Sequence, residues 1–497
     1  MEITIINVSG RLGCDGSRLI SSLLKRAGHK TKNIYLARPE PEYELNELER
    51  MKDILRDTDL VMVAVYSNYS GRAIRITNLI HQRFPGVKVV WGGPHCIATP
   101  ELSLKHADAV CFSEGDEVAV QLANRLDAGK DYLDIPNMAF RVNGSYVINR
   151  VLPPFLDLDS LPFYDYDLDN QFLLDGDLLP ITLEKNKALT KQYPFYVPTI
   201  YFLTSRGCPH ECSYCNNCRY VSMFGKNVLR FYSVDRVIDE IKYTLTRLPF
   251  IEFIGFGDDD FFARPQEQID VFASRYKKEI GIPFGVAAST RTYRKTKIEI
   301  LLDHGLKAFN IGIQSGSQRV IDEVYNRKIS LEKTKRVIDE IAPYSDSRAL
   351  AIVVDLIIDN PYESRDDIIK TYKYLLDLPP CLKPNLFYLS IFPGTPIYKR
   401  ALEDGHIKEA DEDIFRSYTR SCIKYQRNYE TFLVLLLRLV RLHPRLAKIP
   451  KLFFRLLGSS PVRKLASIVP ESVYEKGSNA LQIQMAWRKK GKMSGGG

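Results

Sequence analysis

Twice along this chain, short runs of β-branched and aromatic residues alternate with amphipathic helical stretches, and that alternation admits few folds. A strand that leads into a helix before the next strand pairs with its neighbour in parallel, so each array predicts a parallel sheet covered by helices. In the first array, strands are expected at 3–7, 60–66, 87–91 and 109–112, with helices at 16–27, 72–84 and 117–126. Such a doubly wound sheet binds ligands beyond the carboxyl ends of its strands. Those ends carry Asn7-Val8-Ser9-Gly10, Tyr66-Ser67-Asn68-Tyr69, Gly92-Gly93-Pro94-His95 and Ser113-Glu114-Gly115-Asp116. Glycine there lets a ligand approach the backbone closely. On these residues the ligand is nucleotide-like or phosphate-bearing, and no more specific.

The pattern then lapses into prolines, aspartates and aromatics, including Leu152-Pro153-Pro154 and Asp157-Leu158-Asp159-Ser160-Leu161-Pro162, which reads as an ordered linker. The second array has strands expected at 199–204, 252–256, 284–288, 308–313, 351–358 and 386–391. Six strand-helix units are too few for an eight-stranded barrel and suit a partial one. Beyond it the sequence is basic and helical. The expected class is therefore α/β, with a doubly wound domain at 1–148, a linker at 149–196, a partial (β/α)6 barrel at 197–408 and a helical region at 409–497.

Nine cysteines in 497 residues are too few for a disulfide scaffold, and four of them crowd between positions 208 and 218. The other five, Cys14, Cys96, Cys111, Cys381 and Cys422, read as small buried or half-buried residues. The crowded run is Arg206-Gly207-Cys208-Pro209-His210-Glu211-Cys212-Ser213-Tyr214-Cys215, with spacing C-x3-C-x2-C, just after the first strand of the second array. Three thiolates on one loop can ligate three irons of a cubane and leave the fourth open to a ligand. The competing reading is a structural zinc site with Cys218 or His210 as fourth ligand.

With its loop placed after a first barrel strand and Tyr214 before the third cysteine, the second array resembles the radical S-adenosylmethionine (SAM) superfamily. The resemblance runs from about Pro198 to Lys408. It implies a 4Fe-4S cluster on Cys208, Cys212 and Cys215, with SAM on the open iron and the backbone of Tyr214 against adenine. Gly257-Asp258-Asp259-Asp260-Phe261 stands where relatives receive the SAM amino group, a place that suits a carboxylate; an N-capping aspartate is the other reading. Ser289-Thr290-Arg291 resembles the family's strand-ending Thr-Arg. Ile311-Gly312-Ile313-Gln314-Ser315-Gly316-Ser317 resembles its ribose segment, with Gln314 where Glu is usual. Asp355-Leu356-Ile357-Ile358-Asp359-Asn360-Pro361 departs from the family's small residues at Asp359 and Tyr362. Phe392-Pro393-Gly394-Thr395-Pro396 resembles the turn after the sixth strand. The SAM contacts implied are thus Tyr214, Asp258, Asp259, Arg291, Gln314 and Ser315.

Joined to such a barrel, the first domain resembles the Rossmann-like cobalamin-binding domain of the cobalamin-dependent subfamily, through Trp91-Gly92-Gly93-Pro94-His95, Glu114-Gly115-Asp116-Glu117 and the linker motif. No Asp-x-His-x-x-Gly occurs in the sequence. Base-off cobalamin without a histidine from that motif is therefore expected, held by Gly92, Gly93 and Glu114 with Tyr69 beneath the corrin. A domain that has lost its cofactor and serves in docking is the alternative. The implied activity is C-methylation of an unactivated carbon by methylcobalamin and a 5′-deoxyadenosyl radical. Its alternative is a non-methylating oxidation, cyclisation or rearrangement. No catalytic acid or base is assigned. The resemblance also implies an electron donor such as flavodoxin or ferredoxin. The substrate class stays open among small molecule, lipid precursor and protein side chain.

The net charge of +9 is concentrated, since residues 421–470 hold ten Lys or Arg against Glu430 alone. Nucleic acid is not expected as a partner, because the first domain lacks the extra cysteine triad of related RNA modifiers and the C-terminal region reads helical. Within 429–470 the apolar runs are broken by arginine before the roughly 18 residues a spanning helix needs. Two readings stand: helices lying peripherally on an anionic membrane, or a helical domain packed over the barrel mouth with a basic face outward. Met1-Glu2-Ile3-Thr4-Ile5-Ile6 has no basic stretch of the kind that opens a leader, so the expected location is cytoplasmic.

Overall fold

The apolar run near residue 3 becomes the middle of a sheet, buried on both faces as a central parallel strand must be. The computed structural model describes residues 1–9, 12, 16–36, 38, 43–192, 194–225, 228–408, 423–443 and 446–494. Gly10, Cys14 and Cys422 lie outside the described residues, as does the start of the expected helical region at 409–422. In the first sheet the strands are β1 Glu2–Asn7, β2 Lys30–Leu36, β3 Leu60–Ala64, β4 Lys88–Gly92, β5 Ala109–Cys111, β6 Met138–Val142, β7 Ser145–Ile148, β8 Gln171–Asp175 and β9 Asp177–Pro180. Their order is β7-β6-β5-β4-β3-β1-β2-β8-β9. From β5 to β8 the pairing is parallel, with antiparallel hairpins at both ends. Strand order reverses at β1 and β3, which makes the crevice at their carboxyl ends the place for a ligand.

Residues 149–196, expected as a linker, do more than connect. They supply β8 and β9 to the first sheet and stitch the two halves together. Arg236 donates to the carbonyls of Leu161 and Pro162 at 3.2 and 3.0 Å, while Glu240 accepts from the Tyr164 amide at 3.0 Å. Asp165 accepts from the Ser21 hydroxyl at 2.6 Å. Leu19 and Leu23 of the Gly16–Arg26 helix share one core with the barrel.

The second sheet holds β10 Lys191–Gln192, β11 Val197–Phe202, β14 Phe253–Phe256, β15 Phe284–Ala288, β16 Leu306–Gln314, β17 Ala351–Ile358 and β18 Lys383–Tyr388, in that order. The six strands from β11 to β18 are all parallel, a half-barrel with the six units expected. Between β11 and β14 in the chain, β12 Ser205–Arg206 and β13 Arg230–Phe231 form a small antiparallel ribbon around the cysteine loop.

Of the C-terminal segment, the Tyr429–Leu442 helix is not free to lie on a membrane. Its Leu433, Val434, Leu435 and Leu437 are buried in the barrel's core. Arg441, in its last turn, donates to the carbonyls of Pro379 and Leu378 at 2.8 and 2.9 Å. The chain entering this helix is held by Asp359, whose carboxylate accepts the backbone N–H groups of Lys424, Tyr425 and Gln426 at 2.7, 2.7 and 2.8 Å. Among the described residues no helix is long and apolar enough to cross a membrane.

Candidate active site where the two sheets meet

The carboxyl ends of the two sheets face each other across a cavity of about 420 Å³. One wall comes from the first domain, with Ile5, Met62, Ala64, Tyr66, Val90, Gly92, Gly93, Cys111 and Glu114. The other comes from the barrel side, with Leu203, Ser205, Arg206, Gly207, Asn217, Tyr220 and Asp259. A lining of this mixed but largely apolar kind suits a site that buries a large organic ligand. Gly93, at φ +101°, brings the wall so close to the end of β3 that a Cβ would stand 2.9 Å from the Val65 carbonyl oxygen. Gly92 and Gly93 both line the cavity, so its wall there is bare backbone that a ligand can approach closely.

One ion-paired cluster closes the walls on each other, since Arg206, held by Asp116, also reaches Glu114 at 3.7 Å. Asp116 takes both ends of the Arg206 guanidinium at 2.7 and 2.9 Å. Glu114 takes Arg230 at 3.0 and 2.7 Å and the Phe155 amide at 2.8 Å. Glu114 therefore lines the cavity with its carboxylate already committed to the barrel side. Tyr69, expected beneath a corrin, does not line the cavity. Its ring carries the Arg72 guanidinium at 4.8 Å and packs on the first domain's core.

Arg206 leads directly into the cysteine loop. Gly207, at φ +85°, turns the chain so tightly that a Cβ would meet the Val228 carbonyl oxygen at 2.3 Å. Cys208 and Cys212 are buried, Cys215 and Cys218 half-buried, and none of the four is in a disulfide. The loop is pinned by the end of the π-helical turn Val320–Val324 and the residue after it. Ser213 donates its amide to the Tyr325 carbonyl at 2.9 Å and its hydroxyl to that of Val324 at 2.5 Å. Burial pushes the Cys215 thiol up to about 12 and that of Cys218 to about 11, and it raises Cys208 as well. Free thiols gathered on one buried loop form a donor set that suits an iron-sulfur cluster. His210 is engaged elsewhere: its Nε2 meets Asp260 at 2.7 Å and its Nδ1 accepts from Arg291 at 3.2 Å. Among the described residues no three His, Cys, Asp or Glu side chains are placed to hold a single metal ion.

The other expected contacts divide into those the structure gathers around the loop and those it withdraws. Tyr214 belongs to the loop itself, its hydroxyl accepting from Arg327 at 2.9 Å and its ring edge-on to Tyr325 at 5.0 Å. Gln314 ends β16 at φ +73°, where the register with β17 shifts. A Cβ on neighbouring Gly312 would stand 2.7 Å from Gln314 Nε2 and 2.5 Å from Arg327 Nη2, so both side chains crowd the same spot. Asp259 opens into the cavity beside Asn217, which donates to it, and desolvation within the cleft raises its pKa. Arg291 reaches the loop through His210.

Asp258 and Ser315 are withdrawn. Asp258 is buried, accepts the Thr204 amide at 3.0 Å and takes both the Thr204 and Ser205 hydroxyls. Burial raises its carboxyl to about 6, and its acceptors are spent on the end of β11. Ser315 is fully buried, with its hydroxyl at 3.1 Å from Glu363 and 3.2 Å from Thr371.

Sequence reasoning misses Arg327. Its guanidinium also donates to Cys212 Sγ at 3.5 Å and to the Gly312 carbonyl at 2.9 Å. Its Nε is buried without a hydrogen-bond partner among the described residues. A cation so placed beside the cysteine loop fits a ligand that brings a carboxylate, as SAM does. Arg206 and Arg230 are missed too, and Asp260 stands in its motif without a role; only the closeness of Arg206 to Cys208 in the chain hints at one.

Residues 202–375 match the family model described as the radical SAM superfamily, and residues 2–123 that of the B12 binding domain. An uncharacterised methyltransferase of Pyrococcus horikoshii is 27% identical over 352 residues, 70% of this chain and 70% of its own length. The cobalamin-dependent radical SAM methyltransferase TokK of Streptomyces tokunonensis is 24% identical over 396 residues, 76% of this chain and 54% of its own. This chain thus spans about half of TokK. Among solved structures, OxsB with aqua-cobalamin and SAM superposes with a TM-score of 0.68 at 13% identity, covering 98% of this chain and 79% of that one. TsrM from Kitasatospora setae, with tryptophan substrate and a SAM analogue, gives 0.64 at 16% identity, covering 81% and 76%. At those identities the structural likeness speaks for the fold.

Proposed function

Since the chain belongs to the cobalamin-dependent radical SAM enzymes, with a 4Fe-4S cluster, SAM and cobalamin as cofactors, we propose that it methylates an unactivated carbon of its substrate. The observation that carries this reading is the cavity shared by the carboxyl ends of both sheets, whose lining includes Gly207 and Asn217 on either side of the cysteine loop. When bound, the cofactors supply a carbon-centred radical and a transferable methyl group, so the protein's task is placement and exclusion of water. Cys208, Cys212 and Cys215 hold the cluster. Arg327 and Gln314, crowded together at Gly312, hold the carboxylate and ribose of SAM, and Asp259 receives its amino group. The bare backbone of Gly92 and Gly93 seats the corrin against the apolar wall. Arg206 and Arg230 hold the two walls at a fixed separation through Asp116 and Glu114. His210 keeps the loop oriented toward the barrel through Asp260. The relatives described as methyltransferases support methylation.

The test is anaerobic reconstitution followed by mass spectrometry of candidate reactions. S-adenosylhomocysteine together with 5′-deoxyadenosine is expected; 5′-deoxyadenosine alone would replace methylation by a non-methylating reaction. Replacing Cys208, Cys212 and Cys215 together by Ala is expected to abolish the iron-sulfur absorption near roughly 400 nm and all 5′-deoxyadenosine. Cys218→Ala should keep both, and a site emptied by that single change would overturn the ligand assignment.

A further inference from the structure

We infer that a face built from the Lys451–Leu457 helix, the Ser460–Ala466 helix and the residues that follow docks this protein on an anionic membrane surface. The inner side of these helices is fixed to the barrel. Phe454 and Ala466 are buried, and the Phe454 carbonyl accepts from the Tyr372 hydroxyl at 2.7 Å. Gly458 sits so close to the Tyr372 ring that a Cβ would stand 2.8 Å from it. Arg463 pairs with buried Glu430 at 2.9 Å.

A helix packed this way ordinarily shows a polar outer side. Here the outer side is apolar as well. Leu452 is 66% exposed, Phe453 49%, Leu456 56%, Leu465 67%, Ile468 78% and Val473 52%. Lys448, Lys451 and Lys464 are exposed among them, with no acidic partner among the described residues. Arg455 on this outer side reaches a carboxylate, Asp377 at 3.3 Å. From residue 431 to 470 the sequence contains no Asp or Glu.

Large apolar side chains interleaved with lysines, with the nearby acids Asp377, Asp366 and Glu471 each paired to an arginine, match the interface of an anionic bilayer, where the apolar groups enter the acyl boundary and the lysines meet headgroups. A second copy of this chain fits less well. A two-fold contact would set the same lysines against each other. The surface is narrower than the basic, apolar sequence at 429–470 suggests, because the Tyr429–Leu442 helix is spent on the core.

The experiment uses the full-length protein, sedimented with vesicles of phosphatidylcholine alone or mixed with phosphatidylglycerol. Binding to the anionic vesicles is expected, weaker in high salt. Lys451→Glu and Lys464→Glu should each lower affinity by about fivefold or more at low salt. Phe453→Ser with Leu456→Ser should lower it by about tenfold or more. All four positions are exposed, so circular dichroism and Tm are expected to be unchanged. Val271→Glu, at an exposed apolar residue of the Gln266–Glu279 helix, should leave binding intact. Equal sedimentation with both vesicle types, none with either, or binding that ignores these substitutions would overturn the inference. So would light scattering that shows Phe453→Ser dissociating a dimer, since the face would then belong to a second copy. None of these readouts depends on the cofactors or on methylation.

Discussion

Glu363 is buried, and desolvation raises its carboxyl to about 8 even though the Ser315 hydroxyl donates to it. In the unfolded chain it ionises near 4.5. Between about 4.5 and 8 the folded state therefore keeps a proton that the unfolded state has released, and stability falls as pH rises, by up to about 1.4 kcal/mol per unit. Glu363→Gln keeps the shape and removes the titration. The variant's Tm should lose this decline between about pH 5 and 8; a decline as steep as the parent's would contradict the argument. Gly207 is a second position where one atom decides. Alanine there meets a backbone oxygen and an unfavourable φ together, a cost of about 3 kcal/mol. Denaturant melts should report that loss along with a cysteine loop that no longer holds iron. At this scale the sequence was partly legible. Cysteine spacing singled out the loop, and glycines marked the cradle. Ser315 and Asp258 sit in motif positions yet turn into the core, because whether a strand-end hydroxyl or carboxylate faces the cavity depends on which neighbours it can bond. Arg327 was illegible: its meaning comes from contacts with Cys212 and Gly312, which only the fold brings together.

Elements follow the same division. The strongly apolar strands of both arrays are visible as periodic runs. β2 is not, since its first half reads Lys30-Thr31-Lys32-Asn33, and it is held by polar contacts that reach across the chain: Thr31 and Asn33 bond Ser21, which bonds Asp165. The hairpins β6–β7 and β8–β9 are edge pairs with short strands, one of each pair largely exposed, which leave little hydrophobic period to read. Asp359, a departure from the family pattern, serves the C-terminal segment as a latch for three consecutive backbone amides. Asp359→Ala leaves those donors without their charged acceptor, which should cost about 3 kcal/mol. Limited proteolysis is expected to cut near Tyr425 first. A variant as resistant as the parent would mean that the Tyr429–Leu442 helix holds the segment unaided.

At the scale of the whole molecule the cavity exists only because two sheets are held face to face, and the tie is electrostatic as well as apolar. Asp116 and Arg206 are mostly buried, with side chains 8% and 17% exposed, so neither is well hydrated once its partner is gone. Removing one member of such a pair typically costs about 3–5 kcal/mol, mainly from the charge left behind, whereas removing both costs less. Asp116→Ala and Arg206→Ala should therefore each destabilise strongly, and the double variant should be more stable than the two losses added together. Arg206 stands just ahead of Cys208 at the edge of the cavity, so the single variants should also bind added cobalamin more weakly, read from its absorption spectrum. Strict additivity of the three melts would show the pair to be incidental, with the walls held by the shared core of Leu19 and Leu23. A measured coupling would instead identify the acidic turn of the first domain as what sets the spacing between the cysteine loop and the glycine cradle.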